Sequence, residues 1–532
     1  MRHIYSSGAA LAALAMAAAF SAAPAAAQVQ RNAVVTPAAG HAESGPVSGM
    51  GISTAPGIKE KRERPLRLIP VKPGLQKPDP VVQSTQGPAA ASSTGTGFAG
   101  VGEGDYGFTD SFAPPDTTMA VGATQIVQWV NADFMVFDKA THAVQHGPVP
   151  GNTLFANLGG RCASDNSGDP IVQYDKLANR WVLTQFAVST TPYMQCVAVS
   201  DTSDALGAYH LYAFDYGNLF NDYPKLGVWP DAYYITFNYF TNTFQGAGLC
   251  AYDRTAMLAG QPATQQCFQT STSFGSILPG DVDSASAAPA AGAPNPMVNY
   301  GSNSLNLWRF HVDWANTSNT SLTGPMTIPV ASFTPACGGG GACIKQPDKR
   351  SSKLDSLADR LMYRFAYRSN TAANTGETAV VNHSVKVSGH GPNEVVGLRW
   401  YQLTNLTSGT PAVLQQGTYS PDNTSRWMGS IAQDKDGNIA VGYSASSKQV
   451  RPSIYITGRL ATDAPNTLQA ETLLKAGGGS QNNRLSRWGD YSAMYVDPAD
   501  DCTFYYSTEY LKTTGSFNWS TWINSFKFPT CQ

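Results

Sequence analysis

A short stretch near the C-terminus, Ser486-Arg487-Trp488-Gly489-Asp490-Tyr491-Ser492, has an earlier echo in Ser425-Arg426-Trp427-Met428-Gly429-Ser430, and the two arginines stand 61 residues apart. Each opens an apolar or alternating run, and the run after Arg426 turns at Asp436-Gly437-Asn438. A third arginine, Arg360 in Ala358-Asp359-Arg360-Leu361-Met362-Tyr363, lies 66 residues before Arg426 and opens a similar run. One unit of several short strands therefore recurs, each copy starting on an arginine. Repetition at about 50–65 residues is the mark of a β-propeller, because a lone sheet needs neighbours to cover its faces.

Residues 105–532 keep this character, a span too long for one sandwich and natural for six to eight blades. Seven units are counted, with six and eight open. They start near Pro115-Asp116, Gly168-Asp169-Pro170, Tyr223-Pro224-Lys225 with Trp229-Pro230-Asp231, Gly280-Asp281-Val282-Asp283, Asp359, Arg426 and Arg487. The expected fold class is all-β, a single propeller after a disordered N-terminal lead-in. Only 14% of residues are charged, which suits a turn-rich extracellular β protein. Helix signals are weak, with one turn expected at Thr255–Gly260.

Residues 1–27 read as a secretory signal, with Arg2 ahead of an apolar stretch and Ala25-Ala26-Ala27 as the cleavage site. No later window approaches the ~18 uninterrupted apolar residues of a membrane span, so a secreted or periplasmic monomer is expected. Residues 28–104, dense in Pro, Ala, Gly and Ser with a basic patch from Lys59 to Arg67, read as a flexible or extended lead-in.

The eight cysteines all follow this segment. An even count in an exported chain points to disulfides. Sequence neighbours pair as Cys162–Cys196, Cys250–Cys267, Cys337–Cys343 and Cys502–Cys531, one of ~105 possible sets. No Cys-x-x-Cys or histidine cluster suggests a metal, and no cofactor is expected. With 35 basic and 37 acidic residues the chain lacks the positive surface that nucleic acid or an anionic membrane demands.

In a propeller the first strand of each blade runs along the axis, so residues at its entrance share one funnel. Those unit starts would gather Asp116, Asp169, Asp231, Asp283, Arg360, Arg426, Arg487 and Asp490, with Trp488 beside them. Arginine suits bidentate recognition of a carboxylate. A ligand bearing hydroxyl and carboxylate groups, a polysaccharide or glycan, fits such a surface. An Arg–Asp ring stapling adjacent blades needs no ligand at all.

Pro114-Pro115-Asp116-Thr117, Gly168-Asp169-Pro170, Val228-Trp229-Pro230-Asp231 and Arg487-Trp488-Gly489-Asp490-Tyr491 carry a resemblance over about residues 105–532. The chain resembles the sialidase-like (BNR-type) propellers, and more closely a group of secreted bacterial propeller proteins without a settled activity. The sialidase likeness implies three carboxylate-binding arginines, here Arg360, Arg426 and Arg487. It also implies a tyrosine nucleophile beside a glutamate (Tyr505, Tyr506 or Tyr510 with Glu509) and an acid/base aspartate, Asp116 or Asp169. Two departures oppose a true sialidase. The Ser-x-Asp-x-Gly-x-x-Trp box survives only as Ser420-Pro421-Asp422-Asn423-Thr424-Ser425-Arg426-Trp427, and no Phe/Tyr-Arg-Ile-Pro motif opens the domain.

A broader reading is an exported glycoside hydrolase or polysaccharide lyase acting on an acidic or decorated polysaccharide. Two carboxyls with separated pKa values would work across the funnel, drawn from Asp169, Asp231, Asp283 and Glu509. His383, mid-strand, is either a proton-transfer group or a hydrogen-bonded histidine between blades. Most tryptophans should fill inter-blade wedges. Asp434–Asn438 reads as a hairpin turn and not a calcium loop. A non-catalytic glycan- or protein-binding propeller is the alternative, and fold alone does not separate the two.

Overall fold

Residues 28–53, 62–64, 67–70, 78–109, 112–348 and 350–532 are described by the computed structural model. The signal segment 1–27 and much of the Lys59–Arg67 patch lie outside them. The chain is nearly all β. Among the described residues seven antiparallel meanders, called sheets below, succeed one another, the fourth and fifth joined into one ten-stranded sheet; their first strands are β1 (Thr117–Val121), β2 (Gly168–Asp175), β3 (Phe220–Val228), β4 (Leu278–Val282), β5 (Met362–Thr371), β6 (Ser425–Gln433) and β7 (Ala493–Val496). Each first strand packs on the next, and β7 packs back on β1. Between β4 and β5 the packing becomes a parallel ladder, Gly280–Val282 against Phe365–Tyr367.

With neighbours on both sides, β1, β2, β4, β6 and β7 are buried along their whole length. Burial here extends to polar side chains, as in Gly168–Asp175 and Ser425–Gln433, so these strands do not read as uninterrupted apolar runs. The second and third strands follow by tight hairpins. Asp434-Lys435-Asp436-Gly437-Asn438 is such a turn: the Asp434 carboxylate accepts the Asp436 and Asn438 amides at 3.0 and 2.9 Å, and Gly437 sits at φ 86°. The expected helical turn is Arg254–Leu258, capped by the Asp253 carboxylate accepting from the Ala256 amide. Eight tryptophans are buried: Trp129, Trp181, Trp229, Trp308, Trp400, Trp427, Trp488 and Trp519.

The sequence reading passed over the outermost strand of most sheets, for example Val144–Pro150, Tyr209–Asp215, Ser321–Pro329 and Thr472–Lys475. Several of these rim strands are partly wet and lack a long apolar run. The lead-in is extended but not unpaired. Val29–Gln30, Val34–Pro37, Gly40–Glu43 and Val82–Gln83 add edge strands to the fourth, third, second and fifth sheets. Ser93–Thr94 and Phe98–Ala99 pair with Trp519–Lys527, so the seventh sheet is completed by N-terminal residues. Backbone ladders hold these segments, and composition does not register ladders.

All four disulfides join sequence neighbours: Cys162–Cys196, Cys250–Cys267, Cys337–Cys343 and Cys502–Cys531. The last ties the C-terminus to the start of the strand Phe504–Leu511. No helix among the described residues is long and apolar enough to cross a membrane.

Candidate functional site

Two first strands break register where they begin. The β2 ladder skips between Gly168 and Ile171, with Asp169 at φ 44°, and the β3 ladder skips between Asp222 and Lys225, with Tyr223 at φ 54°. A proline follows each strained residue (Pro170, Pro224) and has no amide hydrogen for the ladder. Such bulges turn a side chain off its sheet face. Asp116 precedes β1, its amide held by the Asn131 side-chain oxygen at 2.8 Å. The segment before β7 brings Arg487 and Asp490, and the Asp490 amide donates to the Asp116 carboxylate at 3.3 Å.

These groups converge on a cavity of about 420 Å³. Asp116, Asp169, Asp222 and Asp490 supply carboxyls, and Phe112, Phe186 and Phe220 supply rings. Arg360 and Arg487 enter from the ring, and Arg64 and Arg67 enter from the lead-in. Arg487 is saturated: it donates to both Asp490 oxygens at 2.7 and 2.8 Å, to Asp355 at 2.9 Å and to the Arg64 carbonyl at 3.0 Å. Arg360 donates to Asp359 at 2.7 and 2.9 Å and to the Arg67 carbonyl at 3.3 Å. Arg64 reaches Asp169 at 3.4 Å. Arg67 is exposed and makes no ion pair among the described residues, its guanidinium lying 4.3 Å from the Phe220 ring centre.

The carboxyls are frustrated by contrast. Burial, reinforced by Asp169, pushes Asp222 up to about 7, with Arg360 and Arg67 opposing. Burial and the charges of Asp490 and Asp169 hold Asp116 well above the usual carboxylate range. Burial also raises Asp169, while Arg64 and Lys225 pull it down. Lys225 lies beneath, its amine 3.5 and 4.0 Å from the Tyr223 and Tyr491 ring centres, and burial lowers it to about 7. Loss of solvent penalises the charged form of acid and amine alike.

Five sequence candidates thus line one cavity: Asp116, Asp169, Arg360, Arg487 and Asp490. Two more stand behind its wall. Glu509 is buried and accepts from the Gly489 amide at 2.8 Å, and Trp488 donates to the Ser444 hydroxyl at 3.0 Å. Four expectations are corrected. Arg426 is held by Glu471 at 2.8 and 2.6 Å and by Asp422 at 2.9 Å, away from the cavity, so the three-arginine set is not assembled. Asp231 follows the far end of β3 and accepts from Tyr234 at 3.2 Å. Asp283 follows the far end of β4 and is paired with Arg364 at 2.6 Å and Lys176 at 3.3 Å. His383 sits fully buried between Tyr300 and Phe333, 3.0 Å from the Tyr401 hydroxyl, where burial depresses its pKa.

Asp222, Lys225, Arg64 and Arg67 were missed. The signal for Asp222 was weak: it stands two residues before Pro224, one further than Asp169 stands from Pro170. Among the described residues, the metal-capable group is Cys337, Cys343 and Glu394, and its two sulfurs are joined in a disulfide.

No family model and no curated protein match this chain. Similar solved structures include Kluyveromyces lactis Hsv2 (9% identity, TM-score 0.32, covering 74% of this chain and 94% of that one). An exo-β-1,3-galactanase from Clostridium thermocellum aligns at 10% identity and TM-score 0.31, over 81% of this chain and 82% of its own. The polysaccharide lyase Uly1 aligns at 9% identity and TM-score 0.37, over 81% and 94%. Likenesses this distant carry no functional weight.

Proposed function

We propose that the seven sheets are the blades of a closed propeller and that its funnel cleaves a glycosidic bond in an acidic polysaccharide outside the cell. The observation that carries this reading is Asp222. It is a carboxyl held near neutrality that shares a cavity with Asp116 and Asp169 and has no ion-pair partner among the described residues. A proton donor and a carboxylate base facing one space are what glycoside hydrolysis requires. In that scheme Asp222 gives its proton to the leaving oxygen as the C–O bond breaks. Asp169, with Arg64 opposing the rise that burial imposes on it, takes a proton from the water whose hydroxyl joins the anomeric carbon. Arg67 meets the anionic group of the substrate, and the phenylalanine rings face the sugar.

Four disulfides accord with an oxidising, extracytoplasmic setting. One observation favours a second reading, a glycan-binding module without turnover: Arg360 and Arg487 are already neutralised by Asp359, Asp355 and Asp490. The test is a panel of uronic-acid polysaccharides assayed for new reducing ends, with wild type and Asp222→Asn compared. Hydrolysis by wild type should fall about 10²–10⁴-fold in the variant. Unsaturated products would reassign the chemistry to elimination. Binding without cleavage by wild type would leave only the module.

A further inference from the structure

A second cavity, of about 260 Å³, lies across a shared wall from the first. Arg360 faces one space and Asp359 the other, and the ion pair between them, at 2.7 and 2.9 Å, forms the partition. The segment 67–70 crosses at the same place: Arg67 borders the first cavity, Ile69 and Pro70 the second, and the Ile69 amide donates to Asp359 at 3.4 Å.

The chemistry of the two spaces differs. The second has no basic side chain, and its one charged residue, Asp359, is engaged by Arg360. Its walls are the Phe274 and Tyr300 rings with the amides and hydroxyls of Asn299, Asn306, Ser304 and Thr327. The rings are fixed from behind. Tyr300 stacks 5.0 Å from His383 and donates to the Ala358 carbonyl at 2.5 Å, and Phe274 meets Trp308 edge-on at 5.0 Å. The Asn306 amide nitrogen donates to the Asn299 side-chain oxygen at 3.0 Å, and Asn299 in turn donates to the Gly275 carbonyl at 3.1 Å. Rigid rings flanking the Ser304 and Thr327 hydroxyls and the Asn306 side chain match an uncharged, hydroxyl-rich ligand.

Resting on the functional reading above, we infer that this second cavity is a subsite for an uncharged sugar unit adjoining the acidic unit held in the first. The substrate class is then a mixed polymer in which neutral residues flank uronic acids. Binding should depend on length, because one acidic residue fills only the first cavity.

The experiment measures calorimetric affinity of full-length Asp222→Asn, which blocks turnover, for mixed uronic/neutral oligosaccharides of increasing length. Asn306→Ala and the near-isosteric Thr327→Val are each added to that background. Expected is roughly tenfold weaker binding of the longer oligosaccharides per lost hydrogen bond, with the shortest acidic probe unaffected. Binding that ignores both length and the two substitutions, while the short probe still binds, overturns this inference alone. Failure of every oligosaccharide to bind overturns the first-cavity reading and this one together.

Discussion

Charged residues crowd both ends of the set of first strands, and the two ends behave oppositely. At the far end of β4, Arg364 from β5 bridges Asp281 and Asp283, Lys176 adds a second contact to Asp283, and Arg368, further along β5, pairs with Asp501. There the arginine and lysine charges hold Asp283 down to about 2 despite complete burial. At the cavity end, burial raises Asp116, Asp169 and Asp222 and lowers Lys225. The same residue types thus make a staple where each charge meets a partner and a pocket of shifted groups where carboxyls outnumber unengaged cations. Buried charge is tolerated only with a partner or a shifted pKa, and this protein uses one solution at each end.

The largest effect should come from breaking the staple. Arg364→Ala leaves buried Asp281 without an ion-pair partner and Asp283 with Lys176 alone, and should cost about 3–5 kcal/mol of stability, read by chemical denaturation. A loss below ~1 kcal/mol would erase the distinction between the ends. Next, Asp222→Asn should remove turnover while the melting temperature holds or rises, since it deletes a frustrated group. A variant that loses stability as well as turnover would mark Asp222 as structural.

The ends should also differ in sign with pH. The folded pKa of Asp222, about 7, lies above its ordinary 3.8, so its contribution to stability is full below pH about 4 and is lost as pH rises through 7. Asp222→Asn should therefore gain stability relative to wild type between pH 5 and 8. Asp283, lowered to about 2, contributes stability above pH about 4 that is lost as pH falls through 2. Asp283→Asn should be most damaging near neutrality, the gap closing in acid. Parallel pH curves for the two variants would contradict the comparison. Smallest of all, Arg426→Ala should leave turnover unchanged, because its Glu471 and Asp422 partners lie outside the cavity. Lost activity there would extend the site to the sixth sheet.

Where a strand begins was readable from turn residues, as at Asp436-Gly437-Asn438, which leads into the strand Ile439–Ser446. Cys250 and Cys267 stand directly opposite on neighbouring strands, so pairing by proximity in the chain succeeded for a geometric reason. The site was harder. Trp229-Pro230-Asp231 looked like a unit start, yet it closes the turn after β3, and the cavity takes Asp222 from that strand's other end. An aspartate beside a proline marks a strand boundary without saying which boundary.

Local chemistry in the chain was enough to dictate an all-β architecture of short hairpins, a neighbour-paired set of disulfides and most of the arginines and aspartates that matter. Only the tertiary structure decided which of them meet. The positive-φ bulges at Asp169 and Tyr223 re-aim side chains, and the parallel pairing of Arg62–Glu63 with Phe112–Ala113 brings Arg64 to the cavity. Both depend on backbone hydrogen bonds between distant residues, and those leave no local pattern in composition or periodicity.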